Sequence, residues 1–226
     1  MTPLPDTLSP FHTNHPASSA YRITMSPHEW TWTQSEQEEM ARALVQLDAD
    51  RVRLKHQLEA ANVKFGGSGI TESMFDWILL NIPKGKHILE LGSGHVSTRF
   101  LSKHYVMTSV ENDHEFINLY KSTYIYAHLV DGWYSLDVLR AQLPLDYDLI
   151  IVDGPVGSEP RTGFLKHLNL FRQDVPIIVD DVWREAERNM AVALSAKLGR
   201  TLSMGTTSEW ALSMGTTSEW AVIMPA

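Results

Sequence analysis

The sequence predicts an α/β fold built on a parallel sheet. From about residue 64 onward, short apolar runs alternate with helix-like segments, which is the pattern of βαβ units. Two of the runs, DLIIV and PIIV, are continuously apolar, as expected for strands covered by helices on both faces. The predicted strands are HILEL (87–91), YVMTSVE (105–111), YAHLVDG (126–132), YDLIIVDG (147–154) and VPIIVDD (175–181).

The segments between and around these strands carry helical patterns of apolar residues. The predicted helices lie at residues 71–82, 96–104, 113–122, 135–143, 161–171 and 183–199. A helix after almost every strand places the carboxyl ends of the parallel strands at one edge of the sheet, where ligands bind in such folds.

Two segments precede this domain. Residues 1–34 are rich in Pro, Ser, Thr and His and predict a flexible arm, whose Trp30 and Trp32 either pack on the domain or cover a pocket. Residues 35–63 predict a helical extension, as one long helix or two short ones, and Ser35 with Glu38 has the spacing of a capping box. The charged face of this extension is either solvated or a homodimer contact.

Composition excludes several classes of protein. The chain has 226 residues, no cysteine and a formal net charge of −8, and its basic residues form no stripe, so we expect no nucleic-acid partner. The absence of cysteine excludes disulfides and thiolate metal sites. No apolar run is long enough to cross a membrane, and the first residues do not resemble a secretory signal, so we expect a cytoplasmic protein.

A glycine-rich turn follows the strand HILEL. It consists of Gly92, Ser93 and Gly94, and Glu90 stands two residues before it. Glycines at such a turn let a ligand approach the backbone closely. The carboxylate would repel a phosphate but suits a cation, and the third glycine of a dinucleotide fingerprint is missing. The turn therefore favours S-adenosylmethionine, whose methionyl end carries a sulfonium and an ammonium.

Acids also end the next two predicted strands. Glu111 follows Glu90 by 21 residues, close to the spacing at which an acid binds ribose hydroxyls in nucleotide-binding folds. Asp131 is placed for an adenine amine, with Gly132 beside it and Trp133 as a stacking wall. The alternative is that these acids only cap strand ends.

Residues 64–226 resemble class I S-adenosylmethionine-dependent methyltransferases. ILELGSG matches the first motif of that family, VEND its ribose-binding acid, and LIIVDGP its motif after the fourth strand. The resemblance implies a Rossmann-like, seven-stranded, mostly parallel sheet with helices on both faces and an antiparallel last strand. It also implies that Gly67, Ser68 and Thr71 help to close over the methionyl end, although a turn and a helix cap would explain the same segment.

Three carboxylates are predicted at the ends of two neighbouring strands: Asp153, Asp180 and Asp181. They would repel one another unless a cation or protons intervene, and oxygen ligands suit Mg²⁺ or Mn²⁺. The arrangement is similar to that of catechol-type O-methyltransferases, which bind a divalent metal there, although that group has an Asp-Asn pair at the second position. The alternative is that Asp180 or Asp181 caps the helix starting near Trp183.

The predicted reaction is methyl transfer to a hydroxyl of a small polar acceptor such as a sugar, a uronic acid or a catechol. A metal would acidify that hydroxyl; without one, Asp153 or His95 would act as the base, while His167 fits a surface position better. Arg161 and Arg184 follow the same strand ends and would bind an acidic acceptor, unless they form ordinary salt bridges. The alternatives are a non-catalytic S-adenosylmethionine sensor and, less well supported, an NAD-dependent dehydrogenase.

The C-terminal region contains a perfect tandem repeat. LSMGTTSEWA occurs at residues 202–211 and again at 212–221. Ten residues are too few for a solenoid unit, so the repeat reads as a duplicated hairpin segment. One copy suffices for a final hairpin, and the second either adds a strand or is extruded as a loop.

Overall fold

The computed structural model describes residues 33–43, 45–46, 49, 65, 69–155, 161–205 and 219–225. Nine strands form two sheets within these residues. The large sheet contains β1 (His87–Leu91), β2 (Val106–Glu111), β3 (Thr123–Tyr126), β6 (Leu149–Val152), β7 (Ile177–Asp180), β8 (Leu202–Met204) and β9 (Trp220–Ile223). The small sheet is a hairpin of β4 (Leu129–Val130) and β5 (Trp133–Tyr134).

The strands of the large sheet lie in the order β3-β2-β1-β6-β7-β9-β8. All neighbouring pairs are parallel except those that involve β9, which runs antiparallel to both β7 and β8. The predicted fold class, a Rossmann-like sheet of seven strands with an antiparallel last strand, is therefore confirmed. Because the chain moves outward from β1 to β3 and then returns to β6 beside β1, the sheet has a switch point between β1 and β6, where such folds place ligands.

Helices cover both faces of this sheet. The α-helices after the N-terminal one are α2 (Glu72–Asn81), α3 (Ser97–Leu101), α4 (Leu136–Gln142), α5 (Gly163–Lys166) and α6 (Glu185–Leu198). One hydrophobic core, with Ile88 and Ile151, packs against α2 and α3. The other, with Leu89 and Ile150, packs against α4, α5 and α6. Successive strand residues alternate between the two cores, as the pleat of a strand requires.

The N-terminal helix, α1, begins at Gln34 and is described over residues 34–43, 45–46 and 49. Its capping box is formed by Thr33 and Glu36: Thr33 Oγ1 accepts from the Glu36 amide at 3.3 Å, and Glu36 Oε2 accepts from the Thr33 amide at 2.8 Å. The predicted box of Ser35 and Glu38 was therefore wrong by two residues, because TQSE and SEQE carry the same spacing. A dimer contact through this helix stays a prediction.

The predicted strand at residues 126–132 was wrong in its position. The edge strand β3 ends at Tyr126, and the following residues form the β4–β5 hairpin. Its two-residue turn is Asp131-Gly132, with φ of +50° and +75°. Asp-Gly is the preferred sequence for a hairpin turn with two positive φ angles. The preference of Asp131-Gly132 for a tight turn therefore outweighs the strand pattern of residues 126–132, and the chain forms a hairpin.

Two predicted helices are also shorter than expected. Residues 113–122 hold only a 3₁₀ turn, His114–Phe116, and the chain then passes through Asn118 at a φ of +61°. Residues 161–171 divide into α5 and a 3₁₀ turn, Leu168–Leu170. In the part of the chain that the structure describes, no helix has the length and apolar character needed to span a membrane.

The last two strands come from different copies of the repeat. β8 begins with Leu202 of the first copy, and β9 begins with Trp220 of the second. Leu202 lies opposite Ile223, and the amide of Gly205 donates to the carbonyl of Trp220 at 2.7 Å. Residues 206–218, which contain the junction between the copies, lie outside the described residues.

Candidate functional site at the switch point

Glu90 lies fully buried near the carboxyl end of β1. Its Oε2 atom accepts hydrogen bonds from Thr98 Oγ1 at 2.7 Å and Ser109 Oγ at 2.8 Å, whereas its buried Oε1 atom has no hydrogen-bond partner. Burial raises the pKa of this carboxyl to about 7, against the hydrogen bonds from neighbouring hydroxyls that lower it. A buried carboxyl with an unused oxygen becomes neutral by taking up a proton or is compensated by a cation beside it.

The glycine turn brings β1 into backbone contact with β6. Gly92 has a φ of +89°, a conformation that favours glycine. A Cβ on Gly92 would lie 2.9 Å from the Cα of Gly154, which follows the end of β6. Both strand ends therefore require glycine, and the contact lies at the switch point of the sheet.

The amides of the turn donate within the protein. The Ser93 amide donates to Glu111 Oε2 at 2.8 Å, and the Gly94 amide donates to Thr98 Oγ1 at 2.9 Å. A phosphate cradle needs such amides directed at the ligand. Two of the amides are committed to side chains instead, which agrees with the sequence argument against a pyrophosphate at this turn.

Glu111, at the end of β2, has both carboxylate oxygens occupied. Oε2 accepts from the amide and the hydroxyl of Ser93, at 2.8 and 3.0 Å. Oε1 accepts from the amides of Asn112 and Asp113, at 2.7 and 2.8 Å. A ribose hydroxyl could reach this carboxylate only by replacing the Ser93 hydroxyl, the one donor of the four that is free to rotate.

Tyr134 is a site residue that the sequence reasoning missed. Its ring is 1% exposed, and its hydroxyl is buried without a hydrogen-bond partner, against the backbone of Gly154. Burial raises the pKa of the phenol well above its ordinary value, and the charge of Glu111 adds to the rise. The phenol therefore stays protonated and is a donor. No pattern in the sequence distinguishes Tyr134 from Trp133, because both rings are buried in the same core and lie 5.1 Å apart.

Asp153, Asp180 and Asp181 lie at neighbouring strand ends, as predicted, and a buried arginine contacts all three residues. Nη2 of Arg161 lies 3.2 Å from Asp153 Oδ1 and 2.8 Å from Asp181 Oδ2, and its Nη1 donates to the Asp180 carbonyl at 3.3 Å. Arg161 is only 5% exposed. Part of the positive charge that the three acids require therefore comes from within the chain.

The predicted metal site at these acids is not confirmed. Among the described residues no group of three or more acidic, histidine or cysteine side chains is arranged to hold a metal ion. Asp181, at a φ of +59°, directs one oxygen to Arg161 and the other to the indole nitrogen of Trp183. Burial raises the pKa of Asp153 well above its ordinary value, and nearby Asp180 adds to the rise, while Arg161 opposes it.

The arginines predicted to bind an acidic acceptor form salt bridges. Arg161 is held as described, and Arg184 Nη1 lies 3.3 Å from Glu187 Oε1 and 3.6 Å from Asp181 Oδ2. The predicted helix cap by Asp180 or Asp181 was wrong, because α6 begins at Glu185 with Arg184 at the cap position. Both arginines are thus engaged by acids of the chain itself.

His95 lies at the surface beside the glycine turn. Its Nδ1 is 2.7 Å from the Tyr120 hydroxyl, and its ring is 5.4 Å from that of Phe116. His95 therefore lies near the turn, where its neighbours are an aromatic ring and a hydroxyl group. Asp153, by contrast, lies among charged groups. Of the predicted residues before β1, Gly67 and Ser68 lie outside the described residues, and Thr71 caps α2 by accepting from the Met74 amide at 3.2 Å.

Asp131, Gly132 and Trp133 lie in the β4–β5 hairpin and outside the strands of the large sheet. Asp131 is exposed at the hairpin turn, and the indole of Trp133 packs on the backbone of Gly163, where a Cβ would collide with the ring. All three residues line a cavity of 440 Å³ between the hairpin, α4 and α5. Tyr134 lines the same cavity, so its ring separates the cavity from the contact between Gly92 and Gly154.

No family model and no curated protein sequence matches this chain. Several solved structures resemble its fold, among them a TehB-like SAM-dependent methyltransferase from Corynebacterium glutamicum, with 17% identity, a TM-score of 0.48, and coverage of 79% of this chain and 97% of the other. The C-terminal domain of precorrin-6Y C5,15-methyltransferase from Rhodobacter capsulatus has 14% identity, a TM-score of 0.46, and coverage of 70% and 90%. A methyltransferase from Pyrococcus furiosus has 14% identity, a TM-score of 0.46, and coverage of 77% and 97%. At these values the similarity extends to the fold and no further.

Proposed function

We propose that this protein is an S-adenosylmethionine-dependent methyltransferase that acts on a hydroxyl of a small polar acceptor. The observation that carries the proposal is the unpartnered buried oxygen of Glu90, directly before the glycine turn at the switch point of the sheet. An uncompensated buried carboxylate is costly, and a cationic ligand at the turn would compensate it.

Three features of the site fit that ligand. Glu90 supplies negative charge for the ammonium and sulfonium of the methionyl end. Gly92 allows the turn to pack on Gly154, Gly94 leaves its own position without a side chain, and Glu111 supplies an acceptor for a ribose hydroxyl once Ser93 rotates away. The amides of Ser93 and Gly94, both already used, speak against a dinucleotide and hence against the dehydrogenase alternative.

S-adenosylmethionine supplies a methyl group on a sulfonium, which needs no further activation. The residues of this chain then have two tasks: to hold the acceptor oxygen in line and to remove its proton. Asp153 is the proposed base, because it lies beside the switch point and burial raises its pKa, which makes the carboxylate a stronger proton acceptor. Arg161 orients it through the contact at 3.2 Å.

Divalent-metal assistance is the other route to an acidified hydroxyl. A metal at Asp153, Asp180 and Asp181 would have to displace the guanidinium of Arg161, which now pairs with the carboxylates of Asp153 and Asp181. The metal-free route needs no such rearrangement, and for this reason we place it first.

Calorimetry with S-adenosylmethionine and with NAD tests the cofactor assignment. We expect the first to bind and the second not to bind, and tight NAD binding would overturn the proposal. Turnover against a panel of catechols, sugars and uronic acids, with EDTA and with Mg²⁺ or Mn²⁺ restored, then tests the reaction. Activity that survives chelation supports Asp153 as the base. Activity that is lost with EDTA and restored by Mg²⁺ or Mn²⁺ supports the metal-assisted route instead. Tight cofactor binding without methyl transfer to any acceptor indicates a sensor.

A further inference from the structure

Trp183 differs from the other tryptophans that the structure describes. Trp77, Trp133 and Trp220 are buried, with exposures of 7%, 5% and 3%, whereas Trp183 is 38% exposed. It lies in the loop between β7 and α6, two residues after Asp181, at the edge of the sheet where ligands bind in such folds. A large aromatic ring exposed at this edge is a surface that a ligand can cover.

The indole of Trp183 is connected to the acids at the strand ends. Its Nε1 donates to Asp181 Oδ1 at 3.0 Å, and Asp181 Oδ2 accepts from Arg161 Nη2 at 2.8 Å. The same Nη2 atom lies 3.2 Å from Oδ1 of Asp153, the proposed base. Three successive polar contacts thus join the indole to that base. Because the indole N–H donates within the protein, the ring offers a ligand its face and not a hydrogen bond.

The loop that carries Trp183 is held by contacts from two other segments. The Val182 amide donates to the Glu219 carbonyl at 2.9 Å. The guanidinium of Arg188 donates to the carbonyls of Val182 and Trp183, at 2.9 and 3.3 Å. Asp181 has a φ of +59°, a strained conformation that such contacts must stabilise. The ring is therefore fixed before a ligand binds, which lowers the entropic cost of binding.

An exposed indole face beside carboxylates is suited to a sugar. One face of a pyranose ring consists of C–H groups that pack on an aromatic ring, and its hydroxyls are donors to carboxylates. The side chains of Asp153 and Asp181 are 16% and 24% exposed, so a molecule at the edge of the sheet can reach them. Trp183 and these two acids therefore offer both kinds of contact that a sugar requires.

The charges at this edge favour a neutral sugar over an acidic acceptor. Arg161 and Arg184 already pair with acids of the chain. Asp153, Asp180 and Asp181 outnumber these two bases. A uronic acid would add a further carboxylate, and like charges repel. A catechol would also stack on the indole, but its two hydroxyls leave from one edge of the ring, and ionisation of either would add negative charge.

We propose that Trp183 is the binding platform for the methyl acceptor, and that this acceptor is a neutral sugar with its apolar face on the indole. Its hydroxyls donate to Asp181 and Asp153. The assignment to the acceptor rests on the proposed function, whereas the binding of a sugar does not. In the transfer, the sugar oxygen beside Asp153 forms the new bond to the methyl carbon, and its proton passes to the carboxylate. The bond from that carbon to the sulfonium breaks, which leaves a neutral thioether.

The experiment is an NMR titration that follows the indole Nε1–H resonance of Trp183 in the full chain, assigned by its loss in Trp183→Phe. The probes are the methyl glycosides of glucose, galactose and mannose, together with glucuronate and catechol. We expect at least one neutral glycoside to shift this resonance saturably, and glucuronate and catechol to shift it less. No response to any neutral glycoside, or an equal or stronger response to glucuronate or catechol, would overturn the proposal.

Saturation-transfer NMR on the bound glycoside tests the stacking itself, because the protons on its apolar face should receive the most saturation. Trp183→Ala should weaken glycoside binding roughly tenfold, whereas Trp183→Phe, which keeps an aromatic ring, should retain most of it. The matched control is Val192→Ala, which changes an exposed apolar residue of α6 and should bind as the wild type does. Unchanged affinity in Trp183→Ala would place the sugar elsewhere and overturn the assignment to Trp183.

Calorimetry with S-adenosylmethionine on the same proteins separates this inference from the proposed function. The cofactor should bind the wild type and Trp183→Ala equally, because the platform contacts the acceptor and not the cofactor. If the glycosides bind and the cofactor does not, the sugar site stands and only its assignment to a methyl acceptor fails. If the cofactor binds and no glycoside does, the cofactor assignment stands and the inference about Trp183 fails.

Discussion

The hydroxyl of Ser93 donates to Glu111 Oε2 at 3.0 Å, on the same oxygen that accepts from the Ser93 amide at 2.8 Å. This hydroxyl occupies the position on Glu111 that the proposed ribose contact requires. Because it is the only rotatable donor among the four on this carboxylate, it decides whether a sugar hydroxyl can bind there.

Removing that hydroxyl should not weaken cofactor binding. We expect Ser93→Ala to bind S-adenosylmethionine at least as tightly as the wild type, because the ribose no longer has to displace a donor. Glu111→Ala should weaken binding by about 1–3 kcal/mol, the cost of leaving hydroxyls unpaired. Calorimetry measures both, with thermal melts to confirm that Glu111→Ala still folds. Unchanged affinity in a folded Glu111→Ala would contradict the ribose assignment.

Glu90 predicts opposite pH dependences for stability and for cofactor affinity. Its pKa rises from 4.5 to about 7 on folding, so its contribution to stability is fully present below pH 4.5 and is lost as the pH rises through 7. The difference amounts to about 3 kcal/mol. Affinity for the cationic cofactor should instead increase with pH through the same range, because the ligand binds the ionised form.

Glu90→Gln provides the control for this pH dependence. It should be more stable than the wild type at pH 8, show a flatter dependence of stability on pH, and bind S-adenosylmethionine more weakly. Denaturant unfolding and calorimetry between pH 5 and pH 8 measure these quantities. A wild type and a Glu90→Gln variant with parallel pH profiles would show that Glu90 does not titrate in this range.

Tyr134→Phe should separate binding from stability. Since the Tyr134 hydroxyl is buried without a partner, its removal should leave the unfolding free energy unchanged or raise it by up to about 2 kcal/mol. Cofactor affinity should fall by roughly 1 kcal/mol if the ligand accepts a hydrogen bond from this phenol. The matched control is Tyr147→Phe, which should lower stability, because the Tyr147 hydroxyl accepts from the Arg172 amide at 2.6 Å. A Tyr134→Phe variant that loses stability as Tyr147→Phe does would point to a structural role.

Arg161→Ala should show whether Asp153, Asp180 and Asp181 need a positive charge beside them for stability. Loss of the buried guanidinium removes the ion pair with Asp153 and the shorter of the two ion pairs with Asp181, which should cost about 3–5 kcal/mol of stability. We expect Mg²⁺ to recover part of this loss in Arg161→Ala and to have little effect on the melting temperature of the wild type. A wild-type protein that Mg²⁺ stabilises strongly would favour the metal-assisted route.

Deleting residues 212–221 should leave the domain folded. β8 pairs with β9 across the two copies, so the deletion retains the sequence of both strands and joins them through TTSE. Trp220 is itself deleted, and we expect Trp210 of the first copy to take its place, packing on Gly205 and donating to Ser73 Oγ as Trp220 does at 2.9 Å. The melting temperature should be equal or higher, and a fall of more than about 10 °C, equivalent to several kcal/mol in a domain of this size, would show that the second copy is structural.

The sequence by itself determined the strands of the sheet core, the glycine turn and the acids at the strand ends. These features depend on local patterns: apolar runs such as LIIV, the glycine turn at Gly92, and the placement of Glu90 and Asp153 near the carboxyl ends of their own strands. Because β1 pairs in parallel with both β2 and β6, the carboxyl ends of these strands lie at one edge of the sheet.

Only the tertiary structure decided which of these charges are available to a ligand. Arg161 forms ion pairs with Asp153 and Asp181, the latter twenty residues away, and Ser93 donates to Glu111, eighteen residues away. The hydroxyl of Tyr134 has no hydrogen-bond partner because the hairpin places it against Gly154, while the neighbouring Trp133 packs on Gly163. Burial and pairing depend on contacts between segments that are distant along the chain, and the distances that set them arise only when the helices and strands pack together.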